Sequence, residues 1–113
     1  MAVCNFSILS EHIVPLLAAV RQRLETNGHL VIQTLHSWSA RGSEEYQDGW
    51  RDDDFKALPG DSWAPMSWYF RTIESWVRDI DAAGFTLREL REPRAPGSDE
   101  PASLIFVCAN GPV

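Results

Sequence analysis

Apolar residues occur along the chain in short uninterrupted runs and in runs with helical spacing. The run 2–9 begins almost at the first residue and predicts a buried strand. Apolar residues then recur on one helix face, with Ser10 as a candidate N-cap and Asn27-Gly28 as a candidate end. The β-rich segment 29–35 follows directly. Strand, helix and strand with short joins predict two parallel strands and a right-handed crossover.

The last third of the chain predicts a second helix and two further strands. Thr72 is a suitable N-cap for this helix, and Gly84 is a suitable residue to end it. Residues 85–92 are typical of a strand, and 103–109 form an uninterrupted apolar run typical of a central strand. Because a loop without a helix joins them, we expect these two strands to be antiparallel.

Residues 36–71 show no regular periodicity and are rich in aromatic and acidic side chains. A connection longer than about 15 residues in a compact domain is usually functional or disordered. The many aromatic residues argue against disorder. We therefore expect a single domain over 1–113, in which 36–71 form an ordered, partly helical lid.

Charge and composition exclude several classes of protein. Ten Lys and Arg against sixteen Asp and Glu give a net charge of −6, without a basic cluster, which argues against binding of nucleic acid. No apolar run approaches the roughly 20 residues that span a membrane, and the N-terminus lacks the pattern of a secretory signal. Cys4 and Cys108 lie in apolar runs, which favours reduced, buried thiols in a cytoplasmic protein over a disulfide.

Four short segments occur in an order and at a spacing that resemble one known family. They are 4–9 (Cys-Asn-Phe-Ser-Ile-Leu), 24–32 (Leu-Glu-Thr-Asn-Gly-His-Leu-Val-Ile), 69–76 (Tyr-Phe-Arg-Thr-Ile-Glu-Ser-Trp) and 82–85 (Ala-Ala-Gly-Phe) with Glu92-Pro93. Together they resemble the C-terminal half of a class I S-adenosylmethionine-dependent methyltransferase, from its fourth strand to its last strands. Asn27 replaces the usual Pro of the family's glycine turn, and His29 replaces its second Gly.

The fold that we expect is a three-layer α/β sandwich with a mixed sheet, in which an antiparallel pair continues two parallel strands. The resemblance implies the spatial order first, second, fourth and third strand of this chain. It also implies methyl transfer from S-adenosylmethionine to a small organic acceptor. The family's glycine-rich turn and ribose-binding carboxylate have no counterpart here. We therefore expect weak or no binding of this cofactor by the chain alone, and an inactive fragment that acts as an interaction or binding module is the alternative.

The resemblance places candidate site residues at the carboxyl ends of the two parallel strands. Asn5 and Phe6 end the first strand, where the family's backbone faces the methionine end of the cofactor; an ordinary strand end is the alternative. His36 ends the second strand and is a candidate general base, because imidazole titrates near neutral pH. A merely hydrogen-bonded histidine is the alternative for His36.

Side chains of the lid are candidates for binding the acceptor, because aromatic walls with a few polar groups are typical of small-molecule sites. The candidates are Trp38, Trp50, Trp63, Trp68, Tyr69 and Arg71. The alternative is that these residues form a small core within the lid. No metal site is predicted, since the consecutive carboxylates Asp52-Asp53-Asp54 point in different directions and no further ligand recurs at a suitable spacing.

The first strand is expected to lie at an edge of the sheet, because its neighbour in the family belongs to the half that has no counterpart here. It is apolar and carries neither Lys nor Pro, the residues that commonly protect an edge. We therefore expect a homodimer, or a complex with the missing N-terminal half, that buries Val3, Asn5 or Ser7. A monomer whose lid covers the edge is the alternative.

Overall fold

The computed structural model describes residues 1–5, 8, 10–40, 45–53, 66–94 and 96–110. The elements are β1 (Ala2–Asn5), α1 (Val14–Arg23), β2 (His29–Leu35), α2 (Ser37–Ala40), β3 (Gly49–Asp53), β4 (Met66–Phe70), α3 (Ile73–Ala82), β5 (Thr86–Arg91) and β6 (Ser103–Ala109). None of the helices in these ranges is long and apolar enough to cross a membrane.

Four strands form the main sheet in the order β1-β2-β6-β5. β1 and β2 are parallel, with Val3 opposite Val31. β6 is antiparallel to both β2 and β5, and the pairing with β5 shifts register between Leu87 and Glu89. The mixed sheet, its strand order and the pairing directions are therefore confirmed.

The first helix begins later than its cap signal suggests. α1 starts at Val14, and its N-cap is Ile13, which makes no side-chain cap hydrogen bond, so the start expected at Ser10 is wrong. The reason is Pro15, whose ring and missing N–H fit only the first turn of a helix. The second helix follows its signals more closely, since the Thr72 side chain accepts a hydrogen bond from the Ser75 amide at 3.2 Å.

Both long helices pack on the same face of the sheet. Leu17 of α1 and Ile80 of α3 belong to one buried cluster with Leu30, Ile32 and Phe106 of the sheet. These strand residues share a face because side chains alternate along a strand. The core therefore lies between the sheet and one layer of helices.

The opposite face of the sheet carries a row of aliphatic side chains with no described helix against it. Val3, Val31 and Val107 lie opposite one another across three strands. Val3 is 58% exposed, and Val31 and Val107 are partly exposed. The described residues thus form two of the three layers that the resemblance implies.

The described part of the lid contains a short helix, α2, and a β-hairpin. β3 and β4 form a separate antiparallel pair in which Trp50 lies opposite Tyr69. The expectation of a partly helical lid missed this hairpin. β4 is aromatic on both faces and β3 carries one aromatic residue among polar ones, so the sequence lacks the apolar–polar alternation by which a half-buried strand is recognised.

Candidate active site at the sheet edge

The carboxyl ends of β1 and β2 meet at one edge of the main sheet, because the two strands are parallel. Asn5 is exposed at this edge and lies opposite Gln33, two residues before β2 ends. His36 follows β2 directly. The start of α1 is near the same edge, because α1 carries the chain from the end of β1 back to the start of the parallel strand β2. Phe6, the second residue proposed to contact the cofactor, lies outside the described residues.

His36 is buried and hydrogen-bonded through both ring nitrogens. Its Nε2 lies 2.8 Å from Oε1 of Glu92, and its Nδ1 accepts a hydrogen bond from the Trp38 amide at 3.2 Å. The ring is 4% exposed. One proton arrangement satisfies both contacts, with the proton on Nε2 donated to Glu92 and a lone pair on Nδ1.

Glu92 is a partner that sequence reasoning missed. It comes 56 residues after His36 and follows β5, which lies two strands away from β2. β2 and β5 run in the same direction because both are antiparallel to β6, so their ends reach the same edge. No local sequence signal reports a contact over this distance; only the pairing of the whole sheet brings the two side chains together.

The lid aromatics lie on two faces of the hairpin. On one face, ring centroids are 5.6 Å apart for Trp38 and Tyr46, 6.0 Å for Tyr46 and Phe70, and 5.9 Å for Phe70 and Trp68. Two of the proposed acceptor-binding residues, Trp38 and Trp68, thus lie in one continuous chain of rings. Trp63 lies outside the described residues.

On the other face, the rings of Trp50 and Tyr69 are 5.5 Å apart in an edge-to-face arrangement. The guanidinium carbon of Arg71 lies 4.9 Å from the Tyr69 ring centre and 5.3 Å from that of Trp76. The proposed acceptor-binding residues are therefore divided between two faces of the hairpin rather than gathered in one pocket.

A cavity of about 350 Å³ lies between the start of α1 on one side and β4 with α3 on the other. Its lining residues are Glu11, His12, Ile13, Val14, Pro15, Tyr69, Arg78 and Asp79. Of the proposed acceptor-binding set, Tyr69 lines the cavity and Arg71 lies against the Tyr69 ring. In the part of the chain that the structure describes, no three His, Cys, Asp or Glu side chains lie close enough together to hold a metal ion.

Arg71 is a buried cation that joins the cavity wall to the helices. Its Nη2 donates to the backbone carbonyls of Ser10 and Glu11, and its Nε lies 3.4 Å from Oδ2 of Asp79. Nη1 is buried and has no hydrogen-bond partner. Burial lowers the pKa of Arg71 from its ordinary value. The hydrogen-bonded Asp79 carboxylate acts in the opposite direction and raises this pKa, but by less than burial lowers it. An arginine starts from so high a value that the guanidinium stays charged.

Tyr69 presents its ring to the cavity and keeps its phenolic proton at neutral pH. Desolvation raises the pKa of Tyr69 above its ordinary value, and the carboxylates of Asp48 and Glu11 raise it further. The hydroxyl is therefore a hydrogen-bond donor beside the cavity.

Residues 46–48 of the lid fasten it to the start of α3. The Thr72 amide donates to Oδ1 of Asp48 at 2.9 Å, and the Ile73 amide donates to the Tyr46 hydroxyl at 2.9 Å. The Ser75 hydroxyl also donates to Asp48. These contacts satisfy N–H groups that the first turn of a helix leaves free. Sequence reasoning missed this anchor, because nothing in a loop marks the residue that caps a distant helix.

The resemblance places S-adenosylmethionine against the carboxyl edge of β1, and Asn5 is exposed there. A Cβ added to Gly49 or Gly97 would meet nothing within 4 Å, so neither glycine shapes a close backbone cradle. No step of a reaction is therefore derived from this chain's contacts with the cofactor.

No family model matches the sequence, and no curated protein matches it. Solved structures do match. One named as an S-adenosylmethionine-dependent methyltransferase of Listeria monocytogenes has a TM-score of 0.72 at 12% identity and covers 95% of this chain. Corresponding proteins of Mesorhizobium loti and Clostridium acetobutylicum have TM-scores of 0.65 and 0.61, at 19% and 11% identity, over 96% and 97% of this chain.

The chain spans less than two thirds of each of these structures, namely 59%, 60% and 57% of their lengths in the same order. Identities this low establish a fold and nothing finer. The strand order β1-β2-β6-β5, with one parallel and two antiparallel pairings, agrees with this likeness. The chain therefore has a partial class I S-adenosylmethionine-dependent methyltransferase fold.

Proposed function

We propose that this chain forms part of a methyltransferase that transfers a methyl group from S-adenosylmethionine to a small organic acceptor once the fold is complete. The observation that carries the proposal is the likeness of the fold to S-adenosylmethionine-dependent methyltransferases, together with a cavity between the start of α1 and β4 with α3. When bound, the cofactor supplies a methyl group on a sulfonium centre, and displacement from that centre needs alignment and exclusion of water. The chain's contribution is the wall at Asn5, with Phe6 next to it in sequence, and the acceptor cavity under the lid.

His36 is proposed as the base that takes a proton from the acceptor. It does not line the cavity, so an acceptor held there has to extend to the end of β2. Glu92 holds Nε2, so the proton can be accepted at Nδ1 alone. Nδ1 is engaged by the Trp38 amide, so the start of the lid must move before His36 can act. A carboxylate on the far nitrogen also stabilises the imidazolium that forms. The role is tested with the assembled enzyme: replacement His36→Gln should lower kcat with little effect on KM, and Glu92→Gln, which removes the carboxylate on Nε2, should lower kcat as well.

The cofactor proposal is tested by calorimetry with S-adenosylhomocysteine. We expect weak binding by the chain alone, with a Kd of about 1 mM, near 4 kcal/mol. Asn5→Ala should weaken the binding of S-adenosylhomocysteine further. The control Asn27→Ala, an exposed residue in the turn before β2, should leave the binding unchanged. Micromolar binding would contradict the view that the described residues supply only one wall. Absence of binding by the well-folded chain would favour the non-enzymatic candidate, whereas binding would support the enzymatic one.

The second candidate function is that of a catalytically inactive interaction module. It is favoured by the outermost position of β1 and by the exposed Val3 on the face without a described helix. The partner proposed for this surface is a second copy of the chain, or the remaining part of the fold, meeting along β1. Cys4 and Cys108 are free thiols, which supports the proposal of a reducing, cytoplasmic compartment.

A further inference from the structure

We propose that His36 is a protonation-dependent N-cap of α2. It holds the first turn of the lid while its Nδ1 is unprotonated, and it releases that turn when Nδ1 takes up a proton. The link to catalysis rests on the proposed function, in which Nδ1 receives the proton of the acceptor. The cap itself requires no reaction and is a property of the chain alone.

His36 occupies the N-cap position of α2. It directly precedes Ser37, the first residue of this helix, and its Nδ1 accepts a hydrogen bond from the amide of the second residue, Trp38, at 3.2 Å. N-cap side chains usually make this contact, but the residue types preferred there are Ser, Thr, Asn and Asp. Their oxygens accept the bond throughout the neutral pH range, whereas an imidazole nitrogen accepts only while it carries a lone pair. The choice of histidine therefore makes this cap sensitive to protonation.

The other contacts of His36 hold the residue in place whether or not it caps α2. Its Nε2 lies 2.8 Å from Oε1 of Glu92, and its backbone amide donates to the carbonyl oxygen of Ala102 at 3.2 Å. The neutral ring with its proton on Nε2 and the imidazolium both present an Nε2–H donor to Glu92. A second proton is therefore taken up at Nδ1. There it faces the N–H group of Trp38, and the hydrogen bond of the cap is lost.

The first turn of α2 can leave this position at a small cost in free energy. α2 is four residues long, and a helix this short is not stable without its neighbours. Trp38 is 54% exposed, so its release breaks few contacts of the core. The Ser37 hydroxyl is buried and has no hydrogen-bond partner among the described residues, which disfavours the capped arrangement. The capped and the released arrangements are therefore close in energy, and the charge of one imidazole can decide between them.

Glu92 is the charged group that contacts the His36 ring in the part of the chain that the structure describes. α2 carries no charged residue. The other ionisable residues of the elements around His36 are exposed or lie at the far ends of the strands. They are Arg88, Glu89, Arg91 and Arg94 on and after β5, Asp99 and Glu100 before β6, His29 at the start of β2 and Cys108 near the end of β6. Protonation of Nδ1 is therefore the change of charge that acts directly on α2.

Release of α2 affects the aromatic residues of the lid. The Trp38 ring packs 5.6 Å from that of Tyr46, and the Tyr46 hydroxyl accepts a hydrogen bond from the Ile73 amide at the start of α3. Within the proposed function, a proton taken from the acceptor would stay on Nδ1 and keep the first turn of the lid released until the proton leaves. The charge of the base and the position of the lid would thus be coupled.

The test is an NMR titration of the isotopically labelled chain, without cofactor, from about pH 8 to about pH 5.5, above the ordinary range of carboxyl groups. At the upper end, the ring nitrogens should show His36 with its proton on Nε2, and the Cα shifts of residues 37–40 should be helical. As the His36 ring becomes protonated, these Cα shifts should lose their helical values with the same midpoint. The protection factor of the Trp38 amide should fall about tenfold.

Two substitutions separate the cap from a general effect of pH. His36→Asn keeps a side-chain acceptor that does not titrate, so α2 should stay capped over the whole range. The matched His29→Asn, at the exposed start of β2, removes a histidine far from α2 and should leave the pH response unchanged. If His36→Asn does not fold, the coincidence of the two titrations in the native chain decides the proposal.

Protonation of His36 without a change at residues 37–40, a change there that does not follow the His36 ring, or a proton on Nδ1 at the upper end would each overturn the proposal. A pH response that persists in His36→Asn, or that disappears in His29→Asn, would overturn it as well. Failure of the cap is distinguishable from failure of the proposed function. The cap without binding of S-adenosylhomocysteine would stand by itself, and binding without the cap would leave the proposed methyl transfer without this control of the lid.

Discussion

At the scale of single residues, Asn110 closes the end of α1 from the far end of the chain. Its Nδ2 lies 2.9 Å from the carbonyl oxygen of Glu25, 3.3 Å from that of Arg21 and 3.4 Å from that of Leu24. These carbonyls lie at the end of α1 and in the turn after it, and those of Arg21 and Glu25 also accept hydrogen bonds from the Leu24 and Gly28 amides. One amide therefore ties the carboxyl end of β6 to the first helix.

Replacement of Asn110 by Ala should lower the free energy of unfolding by about 1 kcal/mol, because three partly exposed carbonyls at the helix end lose a side-chain donor. Chemical denaturation measures this value. Gln22→Ala, an exposed residue of α1, is the control and should change it by less than about 0.5 kcal/mol. Equal effects of the two substitutions would show that the Asn110 contacts do not stabilise the helix end.

Cys108 gives a second prediction at this scale. Desolvation raises the pKa of the Cys108 thiol to about 12. In the native protein at pH 8 the thiol should therefore resist iodoacetamide, since the thiolate is the reactive form. The variant Cys4→Ser, which leaves Cys108 as the single thiol, should gain no label until denaturant is added. Rapid labelling of this variant in the native state, detected by mass spectrometry, would contradict the burial.

The same shift makes stability depend on pH. The folded-state pKa is raised, so the contribution of Cys108 is fully present below the unfolded value and is lost as pH rises from about 9 toward about 12. Cys108→Ala should flatten this part of the stability profile.

At the scale of elements, the lid is held at the start of α3 by Asp48. Asp48→Ala should lower the free energy of unfolding by about 1–2 kcal/mol, because the Thr72 amide and the Ser75 hydroxyl lose their acceptor. Tryptophan fluorescence should shift with it, since Tyr46 packs against Trp38 two residues away from the anchor.

The control for Asp48 is Asp81→Ala, at the other end of the same helix. Asp81 is exposed near the C-terminal end, where a negative charge is unfavourable to the helix dipole. This variant should be neutral or slightly more stable. An Asp48 variant as stable as the Asp81 variant, with unchanged fluorescence, would show that the anchor does not hold the lid.

The elements also show what the sequence could predict. β2 and β6 have the predicted bounds, since uninterrupted apolar runs mark strands that are buried in a sheet. α1 starts later than the cap signal of Ser10 predicts, because Pro15 fits only the first turn of a helix. The β3–β4 hairpin and the contact between His36 and Glu92 could not be predicted. The hairpin lacks alternation, and the contact depends on the order of the whole sheet.

At the scale of the whole molecule, the two outermost strands of the sheet, β1 and β5, differ. β5 carries Arg88, Glu89 and Arg91 and an irregularity in its pairing, which are features that protect an edge. β1 contains no charged residue, and its Val3 is exposed. The proposed homodimer, or complex with the remaining part of the fold, would use this edge.

Light scattering at micromolar concentration tests the proposed dimer. We expect the mass of two chains for the native sequence and of one chain for Val3→Lys, since a charge at an edge opposes pairing. Val77→Lys, on the exposed surface of α3, is the control and should remain a dimer. A native chain with the mass of one copy, whose β1 amides are nonetheless protected from exchange, would contradict both the dimer and an open edge.

The proposed site for S-adenosylmethionine, in which the carboxyl edge of β1 and β2 forms one wall, can be tested directly. The most direct measurement is the position of amide shifts in the isotopically labelled chain at millimolar S-adenosylhomocysteine. We expect saturable shifts at Asn5 and from His36 to Trp38, and no shifts in the turn Asn27-Gly28, which precedes the start of β2 at the opposite end of the strands. Shifts that do not saturate, or that cluster at the opposite edge, would contradict it.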